Sequence, residues 1–325
     1  MSNFQVYRKT LVFSFIMFLI DIIAMFVVAG AATIGFFVMN NSNDKAIIGL
    51  IIGLVIGIIL AVLIEIFIRN RVKAAQISMI TMGVVEGKMP DNVVSAGFSS
   101  IKGKFGKITG YYLITSLIKG ALRQLGRGIE RVGKALGGDV GESVTSAINT
   151  AIEVVIGYLC DCVMGWILYR KDKNSFMAGC EGAVIFFKHG KTLIKNVGRI
   201  FGIGLLSLAV VGGAFFGLFY LIFNQFPQMF TSLSREIIEI AQRNNSTAPE
   251  WISNVTVLTL IASGIAAIAI WSSLHSVLIR PFILVGVLRN FMAAGIKDMP
   301  TENDIVELQG KSPKFARLYQ RAQNS

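Results

Sequence analysis

The sequence predicts an all-α, polytopic helical membrane protein, and three observations carry that prediction. Hydrophobic residues make up 54% of the 325 residues, and charged residues only 15%. Mean hydropathy is +0.65. The apolar residues also gather in runs long enough to cross a bilayer. An ordinary soluble domain carries about 25% charged residues, and a soluble fold of this length has too little interior to hide so much apolar surface. The same composition excludes a disordered chain. The 33 glycines follow no three-residue repeat, which excludes collagen.

Leu11–Met39 is one apolar run behind Tyr7, Arg8 and Lys9. A secretory signal has a shorter apolar core, and Asp21 interrupts this one, so a retained span is expected. Ala46–Ile68 is the second span, about 34 Å long at a rise of 1.5 Å per residue. The short polar link Asn40–Lys45 makes the two an antiparallel hairpin. Arg69, Arg71 and Lys73 close it, and the positive-inside rule places both ends in the cytoplasm. Ile200–Phe226 and Trp251–Ile279 are two further spans. Pro227–Glu250 is a nearly neutral external loop between them, and the basic chain from Arg280 is cytoplasmic.

The middle of the chain is less regular. Ile108–Ile118 is apolar but too short to cross straight, whereas Ser143–Tyr169 is long enough yet has basic segments on both sides. Either the two pair as a hairpin, or one is re-entrant or lies in the interface. The expectation is a single membrane domain with four transmembrane helices, about six membrane segments and both termini cytoplasmic. Its parts are an N-terminal hairpin (1–73), a central basic, amphipathic and re-entrant region (74–199), a C-terminal helix pair (200–280) and a cytoplasmic tail (281–325). The tail Thr301–Ser325 mixes acids with bases and suits either a docking helix or a disordered end.

The net charge of +12 is unevenly spread: residues 69–135 hold 12 Lys/Arg against 3 acids, whereas residues 200–279 hold 2 against 3. Positive-inside topology produces that asymmetry by itself, so no nucleic-acid partner is expected. Cys160, Cys162 and Cys180 are too few for a disulfide framework. His189 and His275 lie far apart in sequence, so neither metal nor cofactor is expected. The chain lacks GxSxG, phosphate-loop and HExxH motifs, and an enzyme is not expected.

Three patterns remain. Ile118, Leu122, Leu125, Ile129, Val132 and Leu136 recur at helical spacing, with Lys119, Arg123, Arg127 and Arg131 on another side. Such a helix suits anionic lipid headgroups or an ordinary solvated surface. Asn149, Glu153, Gly157, Asp161 and Gly165 fall at four-residue intervals on the 143–169 segment. Carboxylates on an apolar segment must face protein, water or a cation. One reading is a cation pathway of Glu153 and Asp161, joined by Asp21 from the first span, with Trp166 and Tyr169 as aromatic walls. The other is a pair of structural carboxylates bonded to Lys or Arg. Glu65 is expected to pair with Arg69 one turn on. Finally, Gly49, Gly53 and Gly57 form a double GxxxG face suited to close helix packing.

Phe105-Gly106-Lys107-Ile108-Thr109-Gly110, leading into Tyr111–Arg123, resembles a short glycine-led span of the choline transporter-like family of membrane proteins. Asn174-Ser175-Phe176, then Phe186-Phe187-Lys188-His189-Gly190-Lys191, Leu193 and Asn196 ahead of Val197–Phe223, resemble a further family block. The resemblance covers Val94–Phe223, with Phe187 where the family block has cysteine, and it implies a shared membrane core. Together with the carboxylate stripe it leads to the expectation of a transporter or channel-like protein, in the plasma membrane, for an organic cation such as choline or a lipid-related amine. The alternatives are a non-transporting scaffold or subunit of a membrane assembly, homo-oligomeric or mixed, and a lipid-binding protein that holds anionic headgroups on its cytoplasmic side.

Overall fold

The computed structural model describes residues 1–39, 46–102, 115–120, 142–243, 247 and 249–324; within these, the side chains of 46–47, 142–153, 190–201, 233 and 240 are not described. Every regular element among the described residues is helical. Four helices among the described residues are long and apolar enough to cross a membrane: Asn3–Met39, Ile48–Val85, Gly202–Phe223 and Val255–Lys297. In each of the first three, only 11% of the most apolar window is buried. Apolar surface bared on that scale needs lipid as its solvent. The chain is an integral membrane protein.

The chain divides into two compact units, Met1–Gly198 with Arg280–Ser325, and Arg199–Ile279. The first begins with helix α1, Asn3–Met39. Its 37 residues extend about 56 Å, nearly twice a hydrocarbon core of about 30 Å. Two halves of different character account for the excess. Val6, Thr10, Phe13 and Ser14 are buried in protein, whereas Met25, Phe26, Ile34 and Phe37 are exposed. The lipid-suited part is therefore shorter than the run Leu11–Met39.

Helix α2, Ala46–Ile64, packs back along the C-terminal half of α1. Gly53 lies so close to α1 that an ideal Cβ would sit 3.0 Å from the Ala32 Cα, and one on Gly57 would sit 2.8 Å from the Val28 Cα. Gly49 meets Gly35 backbone to backbone. The small-residue face thus lies within the hairpin, where lipid leaves no hydrophobic drive and van der Waals packing of closely approached backbones takes its place. The link Asn40–Lys45 lies outside the described residues.

A π turn, Glu65–Arg69, leads from α2 into α3, Asn70–Val85. There the surroundings change from lipid-suited to protein: Ala74 through Thr81 are all buried. Gln76 of α3 donates to the Thr10 carbonyl at 3.2 Å and to Ser14 Oγ at 2.7 Å, satisfying a buried amide across α1. Glycine at position 87, with φ of 68°, takes the left-handed conformation just past the end of α3. Helix α4, Val93–Lys102, turns back onto α3, with Phe13 and Ala75 against Gly97.

Helix α5, Glu142–Tyr169, and α6, Ser175–Ser207, follow. Asn174 caps α6, its Oδ1 accepting from the Met177 N–H at 2.7 Å. From Ile156 to Leu168 every α5 residue except Gly157 is buried. Its neighbours are protein: Gly165 touches Leu288 and Thr81, and Trp166 fits against Gly295. Ile108–Ile118 falls mostly outside the described residues, although 115–120 is helical and Ile118 is buried.

The second unit holds α7, Gly213–Phe223, entered through a π turn at Leu208–Gly212, then α8, Pro227–Arg243, and α9, Val255–Leu274. Pro227–Glu250, expected as a loop, instead contains α8. Its apolar positions recur on one side, and Phe230 and Ser234 are buried there, with Ser234 Oγ donating to the Ile252 carbonyl at 2.7 Å. Asn254 caps α9 by accepting from the N–H groups of Thr256 and Val257.

The first unit is completed by α10, Arg280–Lys297, α11, Glu302–Lys311, and α12, Pro313–Gln323. The tail is folded throughout its described length. Thr301 and Asp304 form a capping box, and Ser312 with Pro313 starts α12. Phe315 and Leu318 are fully buried, and Asn174 Nδ2 donates to the Ala322 carbonyl at 2.9 Å.

Candidate functional site

The first unit contains a buried ionic cluster centred on Asp161, which is only 4% exposed on α5. Lys73 of α3 reaches Oδ1 at 2.5 Å, and Arg280, the first residue of α10, reaches Oδ2 at 3.2 Å. The Arg280 guanidinium also stands 5.9 Å from the ring centre of Tyr158, one turn before Asp161. One carboxylate therefore ties three helices together. A buried carboxylate without such partners would be costly to ionise.

A second cluster lies further along α5. Trp166 Nε1 donates to Glu181 Oε2 at 2.9 Å, and Arg170 reaches Glu181 Oε1 at 3.2 Å and Asp172 at 2.9 Å. Trp166 is fully buried, its ring 5.5 Å from that of Tyr169. Asp21 is half-buried on α1 and pairs with Arg69 at 2.9 Å, and Glu65 pairs with the same Arg69 at 3.3 Å, one helical turn away. Both sites that join Asp161 and Asp21 to cations are thus closed by protein charges.

The expected residues are therefore not all together. Trp166 and Tyr169 lie about one and two turns past Asp161 on α5, and Asp21 sits with Arg69 at the open end of the hairpin. Glu153 is on α5 but its side chain lies outside the described residues. Lys119 is partly exposed in the helical piece 115–120, while Arg123, Arg127 and Arg131 lie outside the described residues. Cys160, Cys162 and Cys180 are buried free thiols. Among the described residues no group of three or more His, Cys, Asp or Glu is placed to hold a metal ion.

Lys73, Arg280, Arg170 and Glu181 are the members that sequence reasoning missed. Lys73 and Arg280 were read as topology-setting charges at span ends, and nothing local distinguishes a cation facing headgroups from one facing a buried acid. Glu181 did carry a signal, as a lone acid in the apolar stretch Met177–Phe187.

Tyr169 also lines a cavity of about 560 Å³ between α3, α4 and the end of α5, whose walls include Leu168, Ser78, Thr81, Ser99 and Ser100. At the surface, Lys188 joins Asp298 at 3.1 Å and Asp304 at 3.2 Å. Its ammonium is held above the usual lysine range, first by the Asp298 hydrogen bond. The Asp304 carboxyl is held below the usual range by the Thr301 N–H and hydroxyl, then by Lys188. The comparisons of this chain with protein-family models, curated proteins and solved structures gave no match.

Proposed function

We propose that the protein is a non-transporting membrane component, a scaffold or subunit that holds a rigid helical bundle against the cytoplasmic face of its membrane. The observation that supports this most is the saturation of Asp161 by Lys73 and Arg280. A cation pathway needs a carboxylate that a permeant cation can approach, and this one already faces two fixed cations. The fully folded tail adds a second support, since α11 and α12 enlarge the bundle. In this reading both termini are cytoplasmic, because Arg69, Arg71 and Lys73 follow the first helix pair; the plasma membrane is the proposed site.

The second reading is transport of a small organic cation such as choline, as the choline transporter-like resemblance implies. What favours it is that Tyr169 lines a cavity. One experiment separates the two. Protein isolated from its native membrane in nanodiscs is weighed by native mass spectrometry, and the same preparation is tested in liposomes for flux of labelled choline. A stoichiometric partner, or a defined homo-oligomer, without flux above empty liposomes is the expected result. Saturable choline uptake would overturn the scaffold reading.

A further inference from the structure

The cavity that Tyr169 lines is built on one face of α3. Ser78, Thr81, Met82 and Val85 recur there at helical spacing, and Glu86 follows at the same wall. Lys171, two residues past the end of α5, lines the same space. Its volume of about 560 Å³ is in the range of small-molecule sites, roughly 300–1,000 Å³. The wall chemistry is mixed and suits a polar solute that also carries an apolar group. Hydroxyls come from Ser78, Thr81, Ser99, Ser100 and Tyr169, and Met82, Val85 and Leu168 contribute apolar surface.

Two features select among polar solutes. Glu86 and Lys171 are both exposed at this cavity, and neither side chain has an ion-pair partner among the described residues. This separates them from Asp161, Glu181 and Asp21, which are all paired. In addition, α3 ends at Val85 and α5 ends at Tyr169, both at the cavity. Helix C-termini carry a partial negative charge that attracts cations. The α3 end therefore adds to Glu86 in favouring an ammonium, while Lys171 offsets the α5 end beside it and favours a carboxylate; among the hydroxyls, those of Ser78 and Ser100 bond one another at 2.7 Å. Thr81 spends its own hydroxyl hydrogen on the Ile77 carbonyl at 2.8 Å, which leaves its oxygen to accept.

We infer that this cavity binds a small zwitterion of the amino-acid class, its ammonium at Glu86 and its carboxylate at Lys171. The inference goes beyond the scaffold reading and does not depend on it, since a binding site serves a scaffold and a transporter equally. α3 places the cavity away from the hairpin: Ser78 follows Arg69 by nine residues, about 13 Å along the helix. The solute is thus drawn from water and not from the lipid interior.

The test uses the full chain in nanodiscs of uncharged lipid. Each common amino acid is screened at millimolar concentration for a rise in unfolding temperature, and the best is titrated calorimetrically beside ethanolamine and propionate. Glu86→Gln and Lys171→Gln are titrated in parallel, after their unfolding temperatures are checked against the parent. These exposed side chains have no structural partners, so both variants are expected to fold. Saturable binding of an amino acid, weakened about tenfold or more by each substitution, is the expected result; ethanolamine and propionate, each lacking one charge, should bind at least as weakly. Absence of binding across the whole series, or binding that either substitution leaves unchanged, overturns the inference. Ethanolamine binding as well as the best amino acid would overturn it too, because Lys171 would then have no carboxylate to hold.

Discussion

Lys73 and Arg280 divide one carboxylate between them, each taking a different oxygen of Asp161. Removing that acid takes from Lys73 its carboxylate and from Arg280 one of its contacts, and leaves the two cations facing one another across a buried amide. Asp161→Asn is therefore expected to cost about 3–5 kcal/mol of stability, a large part of the 5–15 kcal/mol typical of folded proteins. Lys73→Met alone should also destabilise, but in the Asp161→Asn background it should cost less, because it removes an unpaired charge. Thermal unfolding of the two single variants and the double variant measures the coupling. Strict additivity would mean that the pair does not interact.

That expectation changes how a transport assay on Asp161→Asn is interpreted. Lost flux in this variant would report a damaged fold as readily as a blocked pathway, so the unfolding measurement has to accompany it.

The glycine contacts within the hairpin give a second prediction. Gly53 faces the α1 backbone, whereas Gly30 has nothing within 4 Å of its would-be Cβ. Gly53→Leu should force α1 and α2 apart and destabilise by at least about 1–3 kcal/mol. Gly30→Leu should change stability by less than about 0.5 kcal/mol. Unfolding midpoints of the two variants in the same nanodiscs decide the matter. Equal midpoints would show that the packing face is not where the structure has it.

Membrane character was legible from composition, and the helix pairs from the length of their apolar runs. The 143–169 segment was not assignable, for a physical reason. A helix apolar on all sides is buried either in lipid or in protein, and only the neighbours distinguish the two. Around Asp161 those neighbours come from α3 and α10, far away in sequence, and they supply the paired cations. The structural alternative for the carboxylates was visible in the pattern, but its partners were not. Helix α8 was missed for a different reason: five charges between two spans read as a loop, although Phe230, Ser234, Ile237 and Ala241 keep a helical spacing.

Surface charge at the join of α6, α10 and α11 sets a pH dependence. The folded Asp304 carboxyl titrates below its ordinary value of 3.8, so its stabilisation is present above that pH and is lost as pH falls through the lower folded value. The Lys188 ammonium titrates above its ordinary 10.5, so its contribution is present below that pH and is lost as pH rises through the higher folded value. Between the two ordinary values both contributions are fully present, and neither group should make stability vary with pH. Asp304→Asn should flatten the acid limb of a stability–pH curve relative to the parent. An unchanged acid limb would show that other carboxyls set it.

The tail gives the last prediction. Phe315 of α12 is fully buried, whereas Val306 of α11 is 55% exposed. Phe315→Ala removes a large ring from a closed pocket and should cost about 3–5 kcal/mol, while Val306→Ala should stay within about 0.5 kcal/mol. Asn174 links the same tail to the start of α6 by holding the Ala322 carbonyl and the Met177 N–H with one side chain. Asn174→Ala therefore loses a helix cap and a tail contact together, and should release α12 at a smaller cost, about 1–2 kcal/mol. Limited proteolysis separates these effects from general unfolding. In Asn174→Ala and Phe315→Ala the first cuts should fall at Lys311 and Arg317, ahead of any cut in α3 or α5. If the parent chain is cut there equally fast, α12 is not held in the bundle, and the tail is an appendage instead of part of the core.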